Sequence, residues 1–176
     1  MNTRIGFSTP KHFNPVSWLV RKVTSSAASH CFFIYFDVDW QADMVLEAHE
    51  FGFRLMSLSR FEKRNEVVAT FNTTIDIGEG LKHVALEFRG TSGDEGGLLG
   101  AAVVMLGRWL KRKWRNPLNS SQSVFCSEAV TLALQKSGYP GADGLVPHST
   151  TPQDLLTFFT HGSGSAGLPA GGSGAA

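Results

Sequence analysis

The alternation of apolar and polar positions predicts a small antiparallel sheet. Residues 30–36 form a continuous apolar and aromatic run, which predicts a largely buried strand. Residues 44–51 follow a short polar turn and predict the second strand of a hairpin, which residues 52–56 would extend or bend. Residues 65–71 are rich in β-branched side chains and predict a third strand. Residues 5–9 predict a short edge strand.

Apolar residues at helical spacing predict several helices beside this sheet. Asn14 is a suitable cap, and Pro15 a suitable first residue, for a helix over residues 15–24. Further helices are predicted at 77–89, at 98–110, from 126 to 136 and at 152–159. The pattern therefore predicts an α+β protein, with a small antiparallel sheet packed against helices.

Composition is typical of one domain followed by a tail. The chain has 176 residues, of which 42% are hydrophobic, enough for a sizeable core. We assign the domain to residues 1–160, and the Gly-, Ser- and Ala-rich residues 161–176 predict a flexible tail. A formal net charge of +1, with 18% charged residues, creates no overall field that would favour nucleic acid, so no nucleic-acid partner is predicted.

The start of the chain bears on where the protein is made. No long apolar segment follows Met1, so no signal peptide is predicted, and no apolar run reaches the length of a membrane span. We therefore expect synthesis in the cytoplasm. Delivery outside the cell by a route that needs no signal peptide is compatible with this expectation.

Cys126 is the first candidate for chemistry because it lies where a helix is predicted to begin. The polar residues 119–123 precede it as a capping loop. Unpaired backbone N–H groups and the positive end of the helix dipole favour the thiolate there, which is the nucleophilic form of cysteine. The alternative is that Cys126 is a small buried apolar residue, as free cysteines often are. A partner histidine would decide between the two.

His30, at the start of the first buried strand, is the candidate partner. Alternation in the next strand places Glu47 and His49 on one face, so either side chain could orient the His30 ring. Trp18, in the first predicted helix, is a candidate for lining a substrate cleft, with a core or boundary position as the alternative. A metal site of Cys126, His30 and Glu47 lacks any recognisable paired spacing, so neither a metal nor a cofactor is predicted.

Two cysteines cannot form a disulfide-rich scaffold. One bridge, between Cys31 and Cys126, is arithmetically possible. Strand alternation argues against it, because Cys31 and His30 should point to opposite faces of their strand. If His30 faces Cys126, we expect the Cys31 side chain to point away from both.

Three motifs, taken in order, resemble a known family. Ser29-His30 precedes an aromatic strand, Val45-Leu46-Glu47-Ala48 follows it, and Phe125-Cys126-Ser127-Glu128 comes much later. This order resembles the circularly permuted branch of the NlpC/P60 papain-like superfamily, particularly the YiiX/YaeF-type amidases. Residues 151–155 also resemble a segment that follows the cysteine helix in that group.

The resemblance implies a permuted papain-like fold with Cys126 as nucleophile, His30 as general base and Glu47 as orienter, with His49 held in reserve. It implies a cysteine amidase or peptidase whose leading substrates are peptidoglycan stem peptides, with lipid acyl esters or amides as runners-up. Relatives in bacteriophage tails make a phage-borne cell-wall hydrolase, partnered by other tail proteins and acting in the periplasm or cell wall, a further expectation. The rival is a non-catalytic structural or adaptor protein that keeps the scaffold.

Overall fold

The computed structural model describes residues 3–49, 52–87 and 126–162. The strands in these ranges are β1 (Thr3–Pro10), β2 (His30–Asp37), β3 (Ala42–His49), β4 (Gly52–Ser57) and β5 (Asn65–Asn72). The helices are α1 (Pro15–Thr24), α2 (Leu58–Glu62), α3 (Gly78–Glu87), α4 (Cys126–Lys136) and α5 (Pro152–His161), with short 3₁₀ turns at Ala142–Gly144 and Pro147–Ser149. The fold is α+β, as predicted.

The five strands form one antiparallel sheet in the order β4-β3-β2-β1-β5. The prediction that β1 is an edge strand is wrong, because β2 pairs with one side of it and β5 with the other. Residues 52–56 do not extend the second strand either. They belong to β4, which turns back to pair with β3. Both errors concern pairings between segments, and local periodicity carries no information about those.

One face of the sheet is covered by α2. Phe32, Ile34 and Val45 project from this face and pack with Phe61 of α2 in a small cluster of buried side chains. Gly6 of β1 allows the Phe32 ring to lie directly over the strand, since a Cβ at this position would lie 2.5 Å from the ring. The sequence did not predict α2, which spans only five residues.

The other face carries the larger core and the helix that begins at Cys126. Strand residues including Phe7, Cys31 and Phe33 pack there with apolar residues of α3, α4 and α5. Helix α3 packs closely against α4. At Gly80 of α3 there is no room for a side chain, since a Cβ there would overlap the carbonyl oxygen of Ala133 in α4. This packing sets the position of α4, and therefore of its first residue, against the sheet.

The helix ends agree well with the sequence. Helix α1 begins at Pro15 after Asn14, whose side chain accepts a hydrogen bond from the Ser17 N–H, so the prediction over residues 15–24 is confirmed. Helix α5 begins with a capping box formed by Thr151 and Asp154. The predicted helix at 98–110 and all but the first residues of the predicted tail lie outside the described residues. None of the described helices is both long and apolar enough to cross a bilayer.

Candidate active site

His30 and Cys126 come together although they are far apart in sequence. His30 is the first residue of β2, and Cys126 is the first residue of α4, which packs against the sheet. Their side chains are close enough that the charge of each, and a hydrogen bond between them, shift the pKa of the other. Cys126 is half-buried, and the His30 side chain is 23% exposed.

Glu47 holds the other side of the imidazole. The carboxylate oxygen Oε2 lies 2.7 Å from Nε2 of His30, and the Glu47 side chain is only 4% exposed. An imidazole has two ring nitrogens, so a bond from Nε2 to Glu47 leaves Nδ1 for the sulfur of Cys126. Of the two candidate orienters, Glu47 therefore makes the contact. His49 is the last residue of β3, and its side chain lies outside what the structure describes.

Arg54 completes the chain of contacts, and the sequence did not single it out. It lies opposite Glu47 in the β3–β4 pairing. Its Nε donates to Oε1 of Glu47 at 2.8 Å, and its Nη2 donates to the same oxygen at 2.5 Å. The two carboxylate oxygens are thus divided between His30 and Arg54. Only the register of two strands could have revealed this partner.

Burial would raise the pKa of Glu47, but the hydrogen bond and charge of His30, and then those of Arg54, lower it below its ordinary value. Glu47 is therefore an anion near neutral pH. For His30 the effect of burial has the opposite sign, because burial alone would lower its pKa. The charge of Cys126 and the hydrogen bond to it, together with those of Glu47, instead raise this pKa to about 10.

The pKa of Cys126 is lowered well below the ordinary thiol value, and the largest single cause is a hydrogen bond from the side chain of Cys31. Burial opposes this shift, while the charge of His30 and its hydrogen bond support it. A backbone hydrogen bond from Cys31 acts in the same direction. Both shifts favour a thiolate paired with an imidazolium, which is the reactive form of a cysteine–histidine pair.

The position of Cys31 contradicts the expectation that it points away from Cys126. It does lie on the face opposite His30, but α4 covers that same face, so the Cys31 thiol reaches the sulfur from the core side. Both cysteines are free, and Cys31 is only 1% exposed. Burial, followed by the hydrogen bond and charge of Cys126, raises the pKa of Cys31 well above the ordinary value. Cys31 therefore acts as a neutral donor to a thiolate.

Trp18 lies away from this cluster. Its side chain is 56% exposed, which rules out a core position, and it lines a groove of about 390 Å³ beside the end of β1. Ser17, next to it, links this groove to the His30 strand, since its hydroxyl lies 2.6 Å from that of Ser29.

Metal binding has no support in the described part of the chain, where no three His, Cys, Asp or Glu side chains form a group able to hold an ion. The cluster of Cys126, His30 and Glu47 is instead held together by hydrogen bonds between its own members. No family model and no curated protein matches this sequence.

Proposed function

We propose that this protein is a cysteine-dependent acyl hydrolase in which Cys126 is the nucleophile, His30 the general acid and base, and Glu47 the residue that orients the ring. The observation that carries the proposal is the bond of 2.7 Å from a buried carboxylate to a histidine whose other side bonds to a cysteine with a lowered pKa. A structural cysteine needs no such arrangement. A nucleophile at neutral pH does.

The reaction would proceed in two halves. The Cys126 thiolate attacks the carbonyl carbon, and His30 gives the Nδ1 proton to the leaving amine as the bond to carbon breaks, which leaves a thioester on Cys126. Water then attacks the thioester while His30 takes its proton, and the thiolate departs. Glu47 stays ionised throughout and holds the ring. Backbone N–H groups in the first turn of α4 lack partners within the helix and could stabilise the oxyanion.

The proposed substrates are the amide bonds of peptidoglycan stem peptides, with lipid acyl esters or amides as the second class. This choice follows from the likeness of the motifs to the permuted NlpC/P60 amidases, and so does the idea that a phage particle delivers the protein. Incubation with purified peptidoglycan tests it, with mass spectrometry to detect new amino and carboxyl ends and the Cys126→Ser variant as a blank. Release of fatty acid from acylated lipids in place of peptide cleavage would select the second class.

Thiol reactivity tests the site without a substrate. Cys126 should react with iodoacetamide far faster than Cys31 at neutral pH, and His30→Ala should remove most of the difference. His148→Ala, at an exposed histidine in a 3₁₀ turn, is the matched control and should leave both rates unchanged. Equal and slow alkylation of the two cysteines in the wild-type protein would reject the catalytic proposal in favour of a structural or adaptor role.

A further inference from the structure

A groove of about 150 Å³ lies on the α2 side of the sheet, next to the Glu47–His30 pair. Three arginines line it: Arg54 of β4, Arg60 of α2, and Arg64, which follows the end of α2. The apolar part of its wall includes Phe61, whose ring lies 6.5 Å from that of His30. The groove and the candidate active site therefore share one wall.

The charges in this groove are not balanced. None of the described residues that line it is acidic. No ion pair or side-chain hydrogen bond joins Arg60 or Arg64 to another residue that the structure describes. Glu62 and Glu66 are close in sequence, but both are exposed and neither lines the groove. Since the whole chain carries a formal charge of only +1, this is a local concentration of cations and not a general property of the surface.

Arg54 retains donors for a ligand. A guanidinium has five N–H donors, and Glu47 accepts one from Nε and one from Nη2. The donors of Nη1 and the second donor of Nη2 remain, and the side chain is 44% exposed. Arginine groups of this kind bind the oxygens of carboxylate and phosphate groups in pairs.

From these observations we propose that Arg54, Arg60 and Arg64 form a binding site for a small oxyanion, either a phosphate or a carboxylate group of a ligand. The apolar wall at Phe61 and Met56 would contact the carbon skeleton that carries the anion. An anion in the groove would bind the same guanidinium that holds Glu47. This inference does not depend on whether Cys126 is catalytic.

Calorimetric titration tests the site with three probes, inorganic phosphate, pyrophosphate and citrate, at constant ionic strength in a chloride buffer. Saturable binding of at least one probe is expected. Arg60→Gln and Arg64→Gln should each weaken that binding about tenfold, roughly the loss of one charge-assisted hydrogen bond at an exposed site. Binding of the phosphates alone would indicate a phosphorylated ligand, and binding of citrate alone a carboxylated one. Either result supports the site.

Lys22→Gln is the matched control, because Lys22 is an exposed cation that lines the neighbouring groove and not this one. It should change the affinity less than twofold. The proposal is overturned if no probe saturates, or if Lys22→Gln weakens binding as much as the arginine variants do. Repeating the titration with Cys126→Ser separates the two proposals, since that variant has no nucleophile but should still bind the anion.

Discussion

Replacing Glu47 by glutamine would test the contact that most clearly separates a catalytic histidine from a structural one. Glutamine keeps the shape of the side chain and an oxygen that can accept from Nε2 of His30, but it removes the negative charge. The contact is 2.7 Å long, and the Glu47 side chain is 4% exposed, so solvent screens this charge poorly. The imidazolium form of His30 should therefore lose stabilisation while the neutral form is little affected.

The size of the effect follows from the kind of bond that is lost. Hydrogen bonds to charged groups contribute about 1.5–3 kcal/mol, and neutral ones about 1 kcal/mol. Arg54 would also face His30 without the negative charge that separates them now, which acts in the same direction. At about 1.4 kcal/mol for each pKa unit, the pKa of His30 should fall by roughly one to two units. The starting value is about 10.

The assay is a titration of the His30 ring by nitrogen-15 NMR, which needs no substrate. The matched control is Glu79→Gln, the same chemical change at a carboxylate that is 89% exposed and pairs with Lys82. In the control, the titration of His30 should match that of the wild type. A Glu47→Gln variant that also titrates like the wild type would show that the carboxylate does not stabilise the imidazolium. The role of Glu47 as orienter would then be lost.

The remaining predictions concern the sulfur and the elements that position it. Cys31→Ala removes the largest influence that lowers the pKa of Cys126, so, as the pH is lowered, alkylation of Cys126 should begin to slow at a higher pH than in the wild type. Cys31→Ser keeps a donor and should restore most of the wild-type pH dependence. Equal pH profiles in all three proteins would contradict this role. Gly80→Ala forces α3 away from the Ala133 carbonyl and should lower the free energy of unfolding by about 1–3 kcal/mol, measured by urea titration. An unchanged urea midpoint would mean that the two helices do not pack this closely. Thr151→Ala removes the capping box of α5 and should cost about 1 kcal/mol in the same titrations, and no loss would mean that the cap contributes nothing.

The sequence predicted the members of the site better than it predicted their neighbours. Cys126 could be identified because a helix start is visible in capping residues and apolar spacing, which are local signals. His30 and Glu47 could be identified by strand alternation and by the order of the motifs. Arg54 was missed because its role depends on lying opposite Glu47 in a pairing that involves β4. Cys31 was placed on the correct face of β2, yet the conclusion was wrong, since alternation does not say which helix covers a face.

The prediction that β1 is an edge strand is wrong for the same reason, because local sequence does not show which strands pair. Its sequence separation from β5 is about sixty positions, and its pairing with that strand runs from Arg4 to Pro10. Most residues in this strand are buried, and strands pair with both of its edges. A periodic pattern shows which side chains share a face, but it does not show how many strands lie beside them. Global pairing of this kind is fixed only when the whole chain packs.

The contacts of Cys126 with two consecutive residues locate its sulfur with respect to the sheet. His30 and Cys31 project from opposite faces of β2. The His30 ring stacks towards Phe61 on the α2 face, and Cys31 lies in the core beneath α4. Both side chains nevertheless hydrogen bond to the same sulfur. The sulfur therefore lies near the start of β2, where residues that project from both faces of the strand can reach it. A displacement of α4 along its axis would move this sulfur away from both residues at once, so the reactivity of the thiol should depend on the packing of α4.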